Sequence, residues 1–179
     1  IAEWKPPVFK NRGLKLISST IRRNTPSCLD SKIHHNNLIN NILAKIESNY
    51  AGVDEAVMLD LDGFVAETNA CNIFFVKKGI VFTPFGDACL PGITRKKVLE
   101  IANANGIKAE ERRVSIAAMY AADEVFITGT MGELTSIIEI DGRTFEHGPV
   151  SKQLQELYLT LTKNEGVDLP EFDEVIFKA

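Results

Sequence analysis

Residues 67–95 read E-T-N-A-C-N-I-F-F-V-K-K-G-I-V-F-T-P-F-G-D-A-C-L-P-G-I-T-R. The apolar stretches 72–76 and 80–83 flank Lys77-Lys78-Gly79, the composition of a hairpin turn. The segment therefore sets a carboxylate, Glu67, at the end of one strand. Asn72 and Phe74 follow on the next, and Thr83 ends a third. It closes on Leu90-Pro91-Gly92-Ile93-Thr94-Arg95, a glycine-bearing turn that opens a helix. Such a turn points backbone N–H groups and a hydroxyl at one spot, which is how a chain holds a phosphate. A buried carboxylate nearby pairs with a protonated ring nitrogen. Together they describe a site for a phosphorylated heteroaromatic cofactor, and pyridoxal 5'-phosphate (PLP) fits best.

The flanking sequence supplies the rest of an α+β domain. Residues 14–20 read as a strand and 24–27 as a loop. Asp30 or Ser31 is placed to cap a helix over about 33–48, with Leu38, Ile39, Ile42, Leu43 and Ile46 at helical spacing. Strands 55–61 and 64–67 flank Asp62-Gly63, a second hairpin signal. A helix over 94–105 closes at Gly106, and 107–114 reads as a strand. Ser115 caps a short helix, strand 124–128 runs into Gly129-Thr130-Met131-Gly132, and Asp141-Gly142 marks a third hairpin. A helix over 150–161 ends the patterned region. The reading is a sheet of mostly antiparallel strands with flanking helices.

Composition narrows the function classes. The 179 residues suffice for one good core, and 45% hydrophobic with 25% charged residues is ordinary for a globular chain. A net charge of -4 gives no electrostatic case for nucleic acid or an anionic membrane. Cys28, Cys71 and Cys89 are an odd number without C-x-x-C spacing, which argues against a disulfide framework or zinc site and for a reducing, intracellular compartment, the cytoplasm or, given a targeting segment upstream, an organelle. Ile1 to Pro7 reads as a linker arriving from something upstream. The expected division is a linker over 1–13, a cofactor-binding domain over 14–165 and a tail over 166–179.

Chemistry is expected from few side chains. A PLP enzyme needs one lysine that condenses with the cofactor aldehyde; Lys32 sits where a loop meets an apolar helix, but its local sequence does not set it apart from a solvated surface lysine. Glu67 reads on its own as a strand-end carboxylate facing water; beside a pyridine nitrogen such a carboxylate would keep that nitrogen protonated. Thr128-Gly129-Thr130 follows a strand and offers a second phosphate clamp through Thr130. His34 and His35 are adjacent and point in different directions. With three histidines in all and no matching Cys cluster, they read as capping or packing residues rather than metal ligands.

These pieces, in this order, resemble the class IV, fold-type IV PLP transaminases, which include branched-chain aminotransferases, D-amino-acid transaminases and aminodeoxychorismate lyases. The resemblance rests on Glu67, Asn72, Ile73, Phe74, Thr83, Leu90, Gly92, Ile93 and Arg95, and on the strings at 122–126, 128–130 and 140–143. It spans about Leu14 to Tyr158. It implies that Lys32 is the Schiff-base lysine and Glu67 the partner of the pyridine nitrogen. It further implies that Leu90 lies against the ring, that Ile93, Thr94 and Thr130 hold the phosphate, and that Met131 lies near the substrate carboxylate. The implied activity is transfer of an amino group from a small amino acid, branched-chain or D-type, to a 2-oxo acid, by a homodimer. A lyase acting on aminodeoxychorismate, or a piece inactive without the family's small N-terminal domain, are the alternatives.

Three departures from the family pattern stand out. Asn69 occupies a position that usually holds a small residue. Thr135-Ser136-Ile137 replaces Thr-Pro-Val. Asn37 stands where branched-chain enzymes often have a tyrosine.

Overall fold

The computed structural model describes residues 12–165. Nearly all of the expected linker over 1–13 and the whole of the tail over 166–179 lie outside the described residues.

The chain runs β1 (Leu14–Arg22), α1 (Ile39–Tyr50), β2 (Glu55–Leu59), β3 (Val65–Thr68), β4 (Asn72–Lys77) and β5 (Ile80–Thr83). It continues through α2 (Ile93–Ala104), β6 (Ala109–Glu111), α3 (Ile116–Tyr120), β7 (Glu124–Gly129), β8 (Glu133–Ile140), β9 (Arg143–Thr144) and α4 (Pro149–Asn164). The strands form one sheet in the order β3-β2-β1-β8-β7-β4-β5-β6, with β9 against β8. The antiparallel meander is interrupted by β1, which inserts between β2 and β8 and runs parallel to both. Local pattern does not contain that pairing, because β1 joins strands about forty and more than a hundred residues away.

The hairpin signals act through backbone geometry. Lys78 and Gly79, at φ 51° and 76°, turn β4 into β5, and Asp141 and Gly142, at 52° and 75°, turn β8 into β9. Asp141 also pins β1. Its carboxylate accepts from Ser18 N at 2.7 Å, Ser18 Oγ at 2.6 Å and the Tyr120 hydroxyl at 2.6 Å. The 140–143 string is thus a clamp on the inserted strand.

The central strand β4 is buried on both faces. Phe74 stacks on Phe126 (5.0 Å between centroids) in the layer beneath α2 and α4, while Phe75 stacks on Phe82 (5.4 Å) in the opposite layer with Leu14, Leu16 and Ile137. Glu124, from the 122–126 string, caps a helix across the sheet. It is buried and accepts from Val150 N (3.2 Å), Ser151 N (2.8 Å) and Ser151 Oγ (2.6 Å) at the start of α4. This supplies the negative charge that the first turn of α4 lacks.

One helix and one strand differ from expectation. The helix placed over 33–48 begins at Ile39, and 33–38 is irregular. Asp30 closes a local turn onto Lys32 N at 3.0 Å instead of capping the helix. Further, α1 packs on β1 and β2 through the small residues Ala44 and Ser48, leaving Ile39, Ile42, Leu43 and Ile46 41–58% exposed. The apolar stripe faces away from the sheet because only small side chains fit the close approach to it. The strand expected over 107–114 is shortened to the three residues of β6.

Replacing Glu124 by Ala should cost about 2 kcal/mol or more in urea unfolding, since charge-assisted bonds to buried donors are lost. The Glu124→Gln variant should recover part of that.

Candidate active site

Glu67 lies one residue before the end of β3 and is buried, with its side chain 7% exposed. Arg23, just beyond β1, meets it with Nη2 2.7 Å from Oε1, and both side chains are buried. Nothing in the local sequence marks Arg23 for this role, because the long-range β1–β2 pairing carries it there. The arginine is itself held. Its Nη1 donates to Asn41 Oδ1 at 2.7 Å and its Nε to Ala88 O at 3.3 Å. Asn41 Nδ2 in turn donates to Asn69 O at 2.8 Å, within the turn that leads from Glu67 to Asn72. Asn69 ties that turn to β2, accepting from Ala56 N through its own Oδ1 at 2.8 Å. A small residue at 69 could not make that bond, which is what this departure contributes here.

Burial pushes the Glu67 carboxyl up to about 7, while Arg23, the Leu90 N–H and the more distant Arg95 pull the other way. The site thus presents a carboxyl whose charge is easily tuned by what faces it.

Asn72 joins the two ends of the site. Its Nδ2 donates to Leu90 O at 2.8 Å and to Glu67 Oε2 at 3.2 Å. A Cβ on Gly92 would come within 2.3 Å of Asn72 Oδ1, so glycine at 92 is required by space. Gly92 caps α2 with no side-chain bond to its N–H groups, and the first-turn donors of a helix have no intrahelical partners. Two further signature residues act as supports. Thr83 Oγ1 donates to Ile73 O at 2.7 Å. Arg95 is buried, donates to Pro84 O at 2.7 Å and pairs with Glu111, fixing the start of α2 against β5 and β6.

A cavity of about 810 Å³ opens over these groups. Its wall includes Glu67, Asn72, Leu90, Ile93 and Thr94, and on the far side Thr130 and Met131. The fold therefore gathers all but one of the expected site residues. The exception is Lys32. Its side chain is 45% exposed, its ammonium lies 3.8 Å from Asp30 Oδ2, and it lines neither this cavity nor the adjoining one of about 250 Å³. His34 lines both. The packing or capping role expected of the two histidines fits His35, whose Nδ1 accepts from Asn37 N at 3.1 Å, and not His34. Cys71 is also in the wall, but burial, with Glu55 and Glu67 nearby, pushes its thiol up to about 12 and keeps it protonated.

The chain belongs to the amino-transferase class IV family, whose pattern matches residues 1–140. Among curated proteins it is 57% identical over 179 residues to branched-chain-amino-acid aminotransferase-like protein 2 of Arabidopsis thaliana, covering 98% of this chain and 32% of that one. It is 39% identical to a putative branched-chain-amino-acid aminotransferase of Methanocaldococcus jannaschii, covering 97% and 61%. The chain thus spans a third to under two thirds of these relatives' lengths. Among solved structures, a branched-chain aminotransferase of Thermoproteus uzoniensis with norvaline superposes with a TM-score of 0.84 at 37% identity, over 87% of this chain and 53% of that chain. An aminotransferase from Brucella abortus bound to PLP gives 0.83 at 29%, over 90% and 57%.

A Gly92→Ala variant should be destabilised by about 1–3 kcal/mol, the usual cost of overpacking, as read by urea unfolding. Glu67 gives a pH signature. Its folded value of about 7 lies above the ordinary 4.5, so the native state holds a proton that the unfolded chain has released between the two. That contribution to stability is full below 4.5 and lost as pH rises through about 7. The melting temperature of Glu67→Gln relative to wild type should therefore rise across that window. A flat difference would show that the carboxyl is not shifted.

Proposed function

We propose that residues 14–165 form the PLP-binding domain of a class IV aminotransferase of branched-chain type, entered through the linker over 1–13. The observation that carries this is a single cavity with a buried carboxyl at Glu67 and an uncapped helix N-terminus at Ile93 and Thr94, coupled through Asn72. The described residues suit the two ends of the cofactor. Glu67, backed by Arg23, would hold the ring nitrogen. The first-turn N–H groups of α2 and Thr130 would hold the phosphate, and Leu90 would lie on the ring. Thr128 Oγ1, buried beside this end with no hydrogen-bond partner, is a further donor of the right kind. Among the described residues no lysine is in the cavity wall; the amine we assign to the covalent attachment is Lys32, on the loop that puts His34 into that wall.

Bound PLP supplies an electron sink for the carbanion formed at a substrate's α-carbon. The chain's part is to orient the ring, to keep its nitrogen against an acid, and to leave the Met131 side open for a carboxylate. The substrates we assign are a small amino acid, branched-chain or D-type, and a 2-oxo acid. A lyase acting on aminodeoxychorismate uses the same cofactor contacts and remains the second reading, and a piece inactive without the remainder of the protein the third. We further propose a cytoplasmic homodimer. Its support is the exposed apolar stripe of α1, a surface that a second copy would cover. Among the described residues no helix is long and apolar enough to cross a membrane.

The test is amino-group transfer by the intact protein from leucine, isoleucine or valine to a 2-oxo acid, run beside D-alanine and aminodeoxychorismate. Transfer from the branched-chain amino acids, lost in Glu67→Ala, is expected. Release of pyruvate from aminodeoxychorismate instead would move the protein to the lyase reading, and failure to bind PLP would remove the cofactor assignment.

A further inference from the structure

Among the described residues, Thr68, Thr83, Thr128 and Thr135 are strand threonines buried in the sheet. Three of them use their hydroxyls locally. Thr68 Oγ1 donates to Glu55 Oε2 at 2.6 Å, Thr83 Oγ1 to Ile73 O at 2.7 Å and Thr135 Oγ1 to Gly132 O at 2.9 Å. Thr128 does not. It is 2% exposed, and its Oγ1 is buried with no hydrogen-bond partner.

The strand pattern says where that hydroxyl lies. Val125 and Ile127 of β7 belong to one layer of the core and Phe126 to the other, beneath α2. Alternation along the strand puts Thr128 on the Phe126 side. Its register partner on β4 is Asn72, the residue whose Oδ1 lies against Gly92 at the start of α2. Thr128 is thus in the cavity wall with Gly92, Ile93 and Thr94, where the sheet meets the uncapped N-terminus of α2.

A buried hydroxyl without a partner lowers stability, and a valine would fill the same space without that penalty. A ligand that completes the bonding of the hydroxyl accounts for threonine at this position. A phosphate dianion offers only acceptors, and it is drawn to the positive end of a helix. We propose that the Thr128 hydroxyl donates to the cofactor phosphate and sets the preference of this site for the phosphorylated over the unphosphorylated cofactor. The chain carries the unpaired hydroxyl, at the expense of stability, until the phosphate binds. This rests on reading the cavity as a cofactor site.

The experiment is equilibrium binding of pyridoxamine 5'-phosphate and of pyridoxamine to the intact protein, with urea unfolding of the cofactor-free form. The two compounds share the ring and the amine and differ only in the phosphate. Wild type, Thr128→Val and Thr128→Ser are compared. Thr128→Val is expected to bind the phosphorylated compound about tenfold more weakly. It should bind pyridoxamine as wild type does and unfold at the same or a higher urea concentration. Thr128→Ser, which keeps the hydroxyl, should recover affinity for the phosphorylated compound to within about threefold of wild type. Unchanged affinity of Thr128→Val for the phosphorylated compound would overturn the inference. So would equal weakening of both compounds, or unfolding of Thr128→Val at lower urea, the signs of a structural residue. Wild type that binds the two compounds alike overturns the phosphate assignment, and wild type that binds neither overturns the cofactor assignment, each taking the inference with it.

Discussion

A carboxylate in a dry interior must be protonated or faced by a cation, and the Arg23–Glu67 pair is where this chain meets that demand. Both side chains are almost fully covered, and they touch at 2.7 Å. Breaking such a pair strands a charge, which is far more costly than never having made it. The surrounding structure is arranged to prevent that. Asn41 on α1 orients the guanidinium, Asn69 fixes the turn after Glu67, and Asp141 anchors the strand that delivers Arg23. Three elements far apart in sequence converge on one ion pair. The pair leaves Glu67 available to a ligand on its cavity side.

Asn72 carries that constraint to the other end of the site. One amide group contacts the Glu67 carboxylate and the Leu90 carbonyl, and its oxygen excludes any side chain at 92. The separation between the acid and the N-terminus of α2 is thereby set by a hydrogen-bonded spacer. Arg95 and Thr83 hold that spacer's surroundings from behind. A rigid separation of this kind suits a planar ligand with a ring nitrogen at one end and a phosphate at the other. Such a separation binds its ligand by preorganisation.

Much of this was legible in residues 67–95, because hairpin turns, helix starts and the glycine at 92 are local events with local causes. The strand and helix signals there match β4, β5 and α2 closely, as does the cavity-facing set from Glu67 to Thr94. What stayed hidden is non-local. The parallel insertion of β1 brings Arg23 to Glu67, and no periodicity announces it. The apolar stripe of α1 was readable as a helix but not as an outward face, because Ala44 and Ser48 decide which side meets the sheet. The placement of His34 in the cavity wall and of Lys32 just outside it turns on a loop geometry set by Asp30. Spacing alone does not resolve an offset of that size.

The most direct measurement is a crystal structure of the intact protein with pyridoxamine 5'-phosphate. The account predicts the ring nitrogen against the Glu67 carboxylate, the phosphate on the N–H groups of Ile93 and Thr94, and the Leu90 side chain against the ring. A ring bound away from Glu67, or a phosphate held anywhere but the start of α2, would contradict it.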